Sequence, residues 1–187
     1  WNTCTSRTAA WSRSSPCLLA VEMASVGREG MVGMALFFGA GHLPEKALEQ
    51  VPGRAMRMRA DAFRWALDDC DSLRTSLQAY AACLYSFAGQ NAACGLKHAT
   101  TPRLARWLLH AADQSGTTHL QLTHGSAAIM LGVRRSSVTV SAGLLRARGL
   151  IAYSRSTIEI ADRDGLEQAA CECYETIRST YERIIVR

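Results

Sequence analysis

Gly132 constrains this chain more than any other residue. It separates two stretches of helical apolar spacing, with Ala128 four residues before it and Val138 six after it. That spacing fits two helices joined by a tight turn. The small side chain at Ala128 lets the second helix approach the first, and the glycine takes up a backbone conformation that other residues avoid. Val133 and Val138 fill the angle between the helices, with Ala127 and Leu131 behind them. Thr123 is placed to cap the first helix, which the spacing carries to about Leu131. The second helix is expected over 134–148, ahead of Gly149, and its first turns present Arg134, Arg135, Ser136, Ser137, Thr139 and Val140.

These residue types suit a nucleic acid. Arginine donors match O6 and N7 of guanine, hydroxyls match phosphate or either base, and an apolar edge matches the thymine methyl. A helix N-terminus favours phosphate through its dipole. Residues 150–153 and 157–160 then read as two short strands joined by Ser154-Arg155-Ser156, a β-wing with a basic tip. Arg135 and Ser136 are therefore the expected base readers, with Val140 at the edge. Arg134, Ser137, Thr139 and Arg155 are the expected phosphate contacts. Ala128, Gly132 and Val138 hold the motif together.

Charge points the same way. The net formal charge is +5, yet residues 97–155 hold eight Lys or Arg (Lys97, Arg103, Arg106, Arg134, Arg135, Arg146, Arg148, Arg155) against one acid, Asp113. A local excess of this kind is an electrostatic footprint for phosphate. Apolar residues at 48% and charged residues at 20% exclude a mainly disordered chain, and no apolar run is long enough to cross a membrane. The seven cysteines are an odd number, and no apolar signal segment precedes them, so a reduced, cytoplasmic chain is expected. The first residue is Trp1 rather than Met, as in a fragment or a truncated gene model.

The fold class expected is α+β, with a partial β-roll, a long dimerisation helix and a winged helix-turn-helix domain. Residues 1–17 carry no periodicity and read as an irregular segment. Residues 18–66 read as short strands (18–26, 31–38, 47–51, 55–58) separated by glycine and proline turns, a partial β-roll. Residues 67–96 read as a long helix with almost no charge after Arg74. Such a helix needs a partner surface on more than one side, either a homodimer seam or the domain's own core. Residues 97–187 form the winged-helix unit. A helix starts at Pro102 and stops at Gly116, and an amphipathic helix over 162–187 either makes a further dimer or polymerase contact or packs onto the winged helix.

Residues 122–160, LTHGSAAIMLGVRRSSVTVSAGLLRARGLIAYSRSTIEI, resemble the winged-helix domain of Crp/Fnr transcription regulators. Residues 21–41, VEMASVGREGMVGMALFFGAG, resemble the middle of that family's cyclic-nucleotide-binding-type β-roll. The resemblance implies a homodimer on a pseudo-palindromic operator, acting with RNA polymerase. The arginine with which family members read guanine corresponds to Arg135. Their adjacent acidic reader corresponds to Ser136, and their second arginine to Val140, so the preferred operator should differ. Ser141 takes a position that is usually apolar. The ribose-binding Gly-Glu pair corresponds to Gly33 and Met34, and residues 43–47 hold no Arg-Ser pair but do hold Glu45. Cyclic-nucleotide binding is therefore not expected.

No cofactor, metal or catalytic group is expected. Cys171 and Cys173 are expected on a helix, where residues two apart face different sides, so that joint chelation is disfavoured. Cys70, Cys83 and Cys94 read as small core residues. Cys4 and Cys17 do not reproduce the family's iron–sulfur ligand set. The aspartates at 61, 68, 69 and 71 suit helix starts, and nothing assembles a nucleophile with a base. Two other functional readings stand beside the DNA-binding one: a truncated remnant acting through protein contacts, and a thiol-based redox sensor.

Overall fold

The computed structural model describes residues 2–5, 21–28, 30–41, 47–48, 54–154 and 156–185. The stretch expected to be irregular contains a strand, β1 (Asn2–Thr5). It pairs antiparallel with β2 (Arg54–Arg57), Asn2 opposite Arg57 and Thr5 opposite Arg54. Of the other strands expected for a β-roll, residues 18–20 and 49–51 lie outside the described residues, and the described remainder forms none. Residues 21–27 form no strand, and the Glu22 amide donates instead to the Met130 carbonyl at 3.1 Å. Residues 31–38 contain a helical turn, α1 (Met34–Phe37), flanked by Gly33 and Gly39, both in the left-handed region. The physical reason is packing. Among the described residues no neighbouring strand offers a ladder, whereas coiling buries Met34 against Phe63, Leu77 and Tyr80.

Two helices follow, α2 (Ala60–Asp69) and α3 (Asp71–Lys97), separated by the extended backbone of Cys70. The guanidinium of Arg74 reaches back to the carbonyl of Leu67 at 2.6 Å and satisfies the open end of α2. Along α3, Leu77, Tyr80, Cys83, Phe87 and Cys94 are buried at helical spacing.

The main core is built around α4 (Thr100–Ser115). Every residue from 104 to 112 is buried, and Gly116 ends the helix at φ 69°. Leu104, Leu108 and Leu109 meet Leu120 of β3 (His119–Gln121), Leu131 of α5 (His124–Leu131), and Val138 and Leu145 of α6 (Arg135–Ala147). Full burial of each such side chain contributes about 1.5–3 kcal/mol. The strands β4 (Ile151–Ser154) and β5 (Thr157–Ile160) form a hairpin, and β3 adds to the other side of β5. Ile158 faces the core from the central strand and is fully buried.

The single helix expected over 162–187 is two, α7 (Arg163–Ala169) and α8 (Cys173–Ile185). Asp162 caps α7 by accepting from the Gly165 amide at 3.0 Å, and Ala170 is extended. A three-residue network fixes the break. Arg163 donates to Asp113 (2.7 Å) and to the Tyr174 hydroxyl (2.8 Å), and that hydroxyl donates to Asp113 (2.8 Å). α8 then lies along α3, with Tyr181 and Ile185 against the cluster that holds Leu77 and Tyr80.

Candidate nucleic-acid interface

The two helices around Gly132 are built as their spacing requires. Thr123 caps α5 by accepting from the Ser126 amide at 3.0 Å. Gly132 stands at φ 62°, and the Val133 amide closes back on the Ala128 carbonyl at 3.0 Å. A Cβ at Gly132 would lie 3.1 Å from the Val21 side chain, so a side chain here would be strained in its backbone and would have to displace Val21 slightly. The guanidinium of Arg103 donates to the Leu131 carbonyl at the end of α5. Ala128, Val138, Ala142 and Leu145 are buried between the helices and the core. Ser141 is buried as well, and its hydroxyl is matched by that of Thr101 at 3.0 Å. A polar residue in this apolar slot therefore keeps its hydrogen bond.

This packing decides which residues face outward. Arg134, Arg135, Ser136, Thr139 and Val140 are exposed, Val140 at 64%, and Ser137 is half-buried. Arg134 is the cap residue of α6, and no side chain caps the helix. Two cations thus stand at the positive end of a helix dipole, where an anion is favoured and a cation is not. Among the described residues, none of Arg134, Arg135, Arg146 and Arg148 has an ion-pair partner, although all are exposed. The hydroxyl of Thr139 is engaged with the Arg135 carbonyl (3.1 Å) and His124 Nδ1 (3.0 Å). His124 in turn packs on Tyr153 of the wing. Arg155 lies outside the described residues.

The basic excess over 97–155 is only partly a surface feature. Arg103 is turned into a structural bond, and Arg106 is buried at 4% exposure on α4. His110 is buried between the rings of Phe87 and Tyr174. Burial, helped by Arg106, pulls its pKa down to about 3.

A second grouping departs from what the sequence leads one to expect. Cys171 and Cys173 do not diverge on a helix, because the chain is extended at Ala170 and α8 begins only at Cys173. They come together with Cys94 and His98 from α3 and its cap. The one sequence signal for this grouping is the four-residue spacing of Cys94 and His98, one helical turn.

Residues 102–169 match the family described as the Crp-like helix-turn-helix domain. No curated protein matches the chain. Among solved structures, the chain is similar to FixK2 from Bradyrhizobium japonicum, with a TM-score of 0.55 and 15% identity over 61% of this chain and 60% of that one. It is also similar to a variant of CooA from Carboxydothermus hydrogenoformans, at TM-score 0.50 and 18% identity over 58% and 53%. A Crp/Fnr-family transcriptional regulator from Thermus thermophilus matches at TM-score 0.49 and 24% identity over 54% and 55%. The likeness to the first two is one of fold. The chain spans between about half and three-fifths of the length of these structures.

Proposed function

We propose that the chain, whose residues 102–169 match the Crp-like helix-turn-helix domain, is a sequence-specific DNA-binding transcription regulator of the Crp/Fnr type. One observation carries this reading. The uncapped N-terminal end of α6 holds Arg134 and Arg135 exposed and, among the described residues, without ion-pair partners, on a helix fixed from behind by Val138, Ala142 and Leu145. A duplex supplies both the phosphates that complement this end and the base edges that the side chains beyond it can read. Arg135, Ser136 and Val140 are the proposed base contacts. Arg134, Ser137, Thr139 and Arg155 are the proposed phosphate contacts. The matched domain is a helix-turn-helix domain, and no reaction is assigned to it.

The proposed assembly is a homodimer through α3. Its outward face carries no charged residue between Arg74 and Lys97, while Tyr85 and Leu96 are 85% and 87% exposed. The proposed domain limits are 18–66, 67–96 and 97–187. RNA polymerase is the proposed second partner, and the cytoplasm the proposed site of action. Among the described residues, no helix is long and apolar enough to cross a membrane. No cyclic nucleotide is proposed, because Met34 occupies the position of the family's ribose-binding carboxylate and is buried against Phe63 and Tyr80.

The test is selection of bound duplexes from a random pool, followed by titration of the selected sequence in physiological salt. The expected result is a pseudo-palindrome bound at least a thousandfold more tightly than unrelated duplex. Equal binding of selected and unrelated duplexes would overturn the proposal.

A further inference from the structure

Four side chains from distant parts of the chain converge where α3 ends and α8 begins. Cys94 lies on the last turn of α3, and His98 caps that helix. Cys171 lies in the link after α7, and Cys173 opens α8. The three cysteines are at most 7% exposed and form a small buried cluster of their own. Cys94 Sγ is 3.5 Å from Cys171 Sγ, and Cys173 Sγ is 3.5 Å from His98 Nδ1. All four candidate ligand atoms lie within 4.8 Å of one another. Around a tetrahedral zinc ion, with its usual sulfur and nitrogen distances, such atoms stand roughly 3.5–3.8 Å apart.

The surroundings complete the pattern. His98 Nε2 meets Glu172 Oε1 at 3.1 Å, which leaves Nδ1 facing the sulfurs. A carboxylate behind a ligating imidazole is the usual device for orienting it. Gln90 Nε2 donates to Cys173 Sγ at 3.0 Å. The Cys94 thiol is drawn down to about 5, first by the hydrogen bond from Cys171, with His98 and Arg106 assisting. Cys171 is pushed up by its hydrogen bond to Cys94 and by burial.

We propose that Cys94, His98, Cys171 and Cys173 bind one zinc ion in a closed Cys3His site that staples the end of α3 to the link between α7 and α8. Sulfur and imidazole ligands select zinc over magnesium or calcium. Four protein ligands leave no open position, so the role is structural. Atoms crowded within 4.8 Å leave room for one ion, not for a cluster whose irons and sulfides must stand between them. A Cys94–Cys171 disulfide would use only two of the four groups and would not account for the buried Cys173 and the half-buried His98 lying beside them. On binding, each protonated thiol that ligates releases its proton to solvent.

The test uses the full chain, reduced and stripped of metal, then titrated with zinc and separately with cobalt(II). The expected result is one equivalent per chain. Cobalt should give the visible absorption of a tetrahedral site together with thiolate charge transfer. Cys171→Ser and Cys173→Ser should lose uptake almost entirely, while Cys70→Ser should keep it and His98→Cys should retain a four-ligand spectrum. The cobalt spectrum of the unaltered chain needs no variant to fold. Failure of the reduced, unaltered chain to take up metal would overturn the proposal. So would equal uptake by Cys171→Ser, recovery of iron with sulfide, or a Cys94–Cys171 disulfide in place of the ion. The readout is metal content, so its failure is distinct from a failure of DNA binding.

Discussion

At the scale of the residue, Arg135 and Arg134 stand side by side but should behave differently. Arg135 is proposed to read a base edge, and on that proposal Arg135→Ala is expected to cost about 1–3 kcal/mol on the selected operator and to relax one half-site position. Equal loss on every duplex would contradict base reading by Arg135. Arg134 sits at the helix cap, where a phosphate would lie. Arg134→Ala should therefore weaken binding to all duplexes alike and lower the slope of log affinity against log salt by about one. His110 makes a different prediction. Its Nε2 is buried without a hydrogen-bond partner among the described residues, and its folded pKa of about 3 lies far below the ordinary value of 6.5. The unfolded chain then binds the extra proton more readily. Stability that is full above pH 6.5 should fall as pH drops towards 3, by up to about 1.4 kcal/mol per pH unit. Arg106 deepens this shift and Asp113 opposes it. In urea melts between pH 7 and pH 4, His110→Leu should flatten the acid limb; an unchanged limb would remove His110 as its cause.

At the scale of the element, the turn between α5 and α6 is the joint on which the proposed interface depends. Gly132→Ala forces a side chain into the left-handed region and towards Val21. A loss of about 1–2 kcal/mol is expected from the backbone alone, read as a lower Tm. An unchanged Tm would mean that the turn can relax without moving α6. Much of this region was legible in the sequence, because the determinants of a helix pair lie within a few residues of one another. Thr123, Ala128, Gly132 and Val138 each act through neighbours along the chain. The extended run expected over 31–38 was not legible in the same way. A short apolar stretch with glycines at both ends is compatible with a strand or a turn of helix. Phe63, Leu77 and Tyr80, far along the chain, settled it as helix. The break at 170–172 escapes sequence reading for a related reason. The apolar spacing of 163–169 continues in phase into 173–185, and the break is met by tertiary contacts, the Arg163–Asp113–Tyr174 network among them.

At the scale of the whole molecule, α3 is bounded by α8 and by α1 and α2, which leaves one uncharged face outward. If that face is the dimer seam, a charge at Tyr85 should split it. Tyr85→Glu is expected to shift the sedimentation mass from dimer to monomer at micromolar concentration, with helix content unchanged. A monomeric unaltered chain would overturn the dimer. The helix-turn-helix, the wing strands and the exposure of Arg134 and Arg135 followed from the sequence alone, because local spacing and turn chemistry dictate them. Tertiary structure alone decided that Arg103 and Arg106 turn inward, and that Cys94 meets Cys171 across 77 residues of chain. Neither outcome has a local signature: each depends on which distant surfaces the core brings into contact, and burial rather than spacing selects the partners.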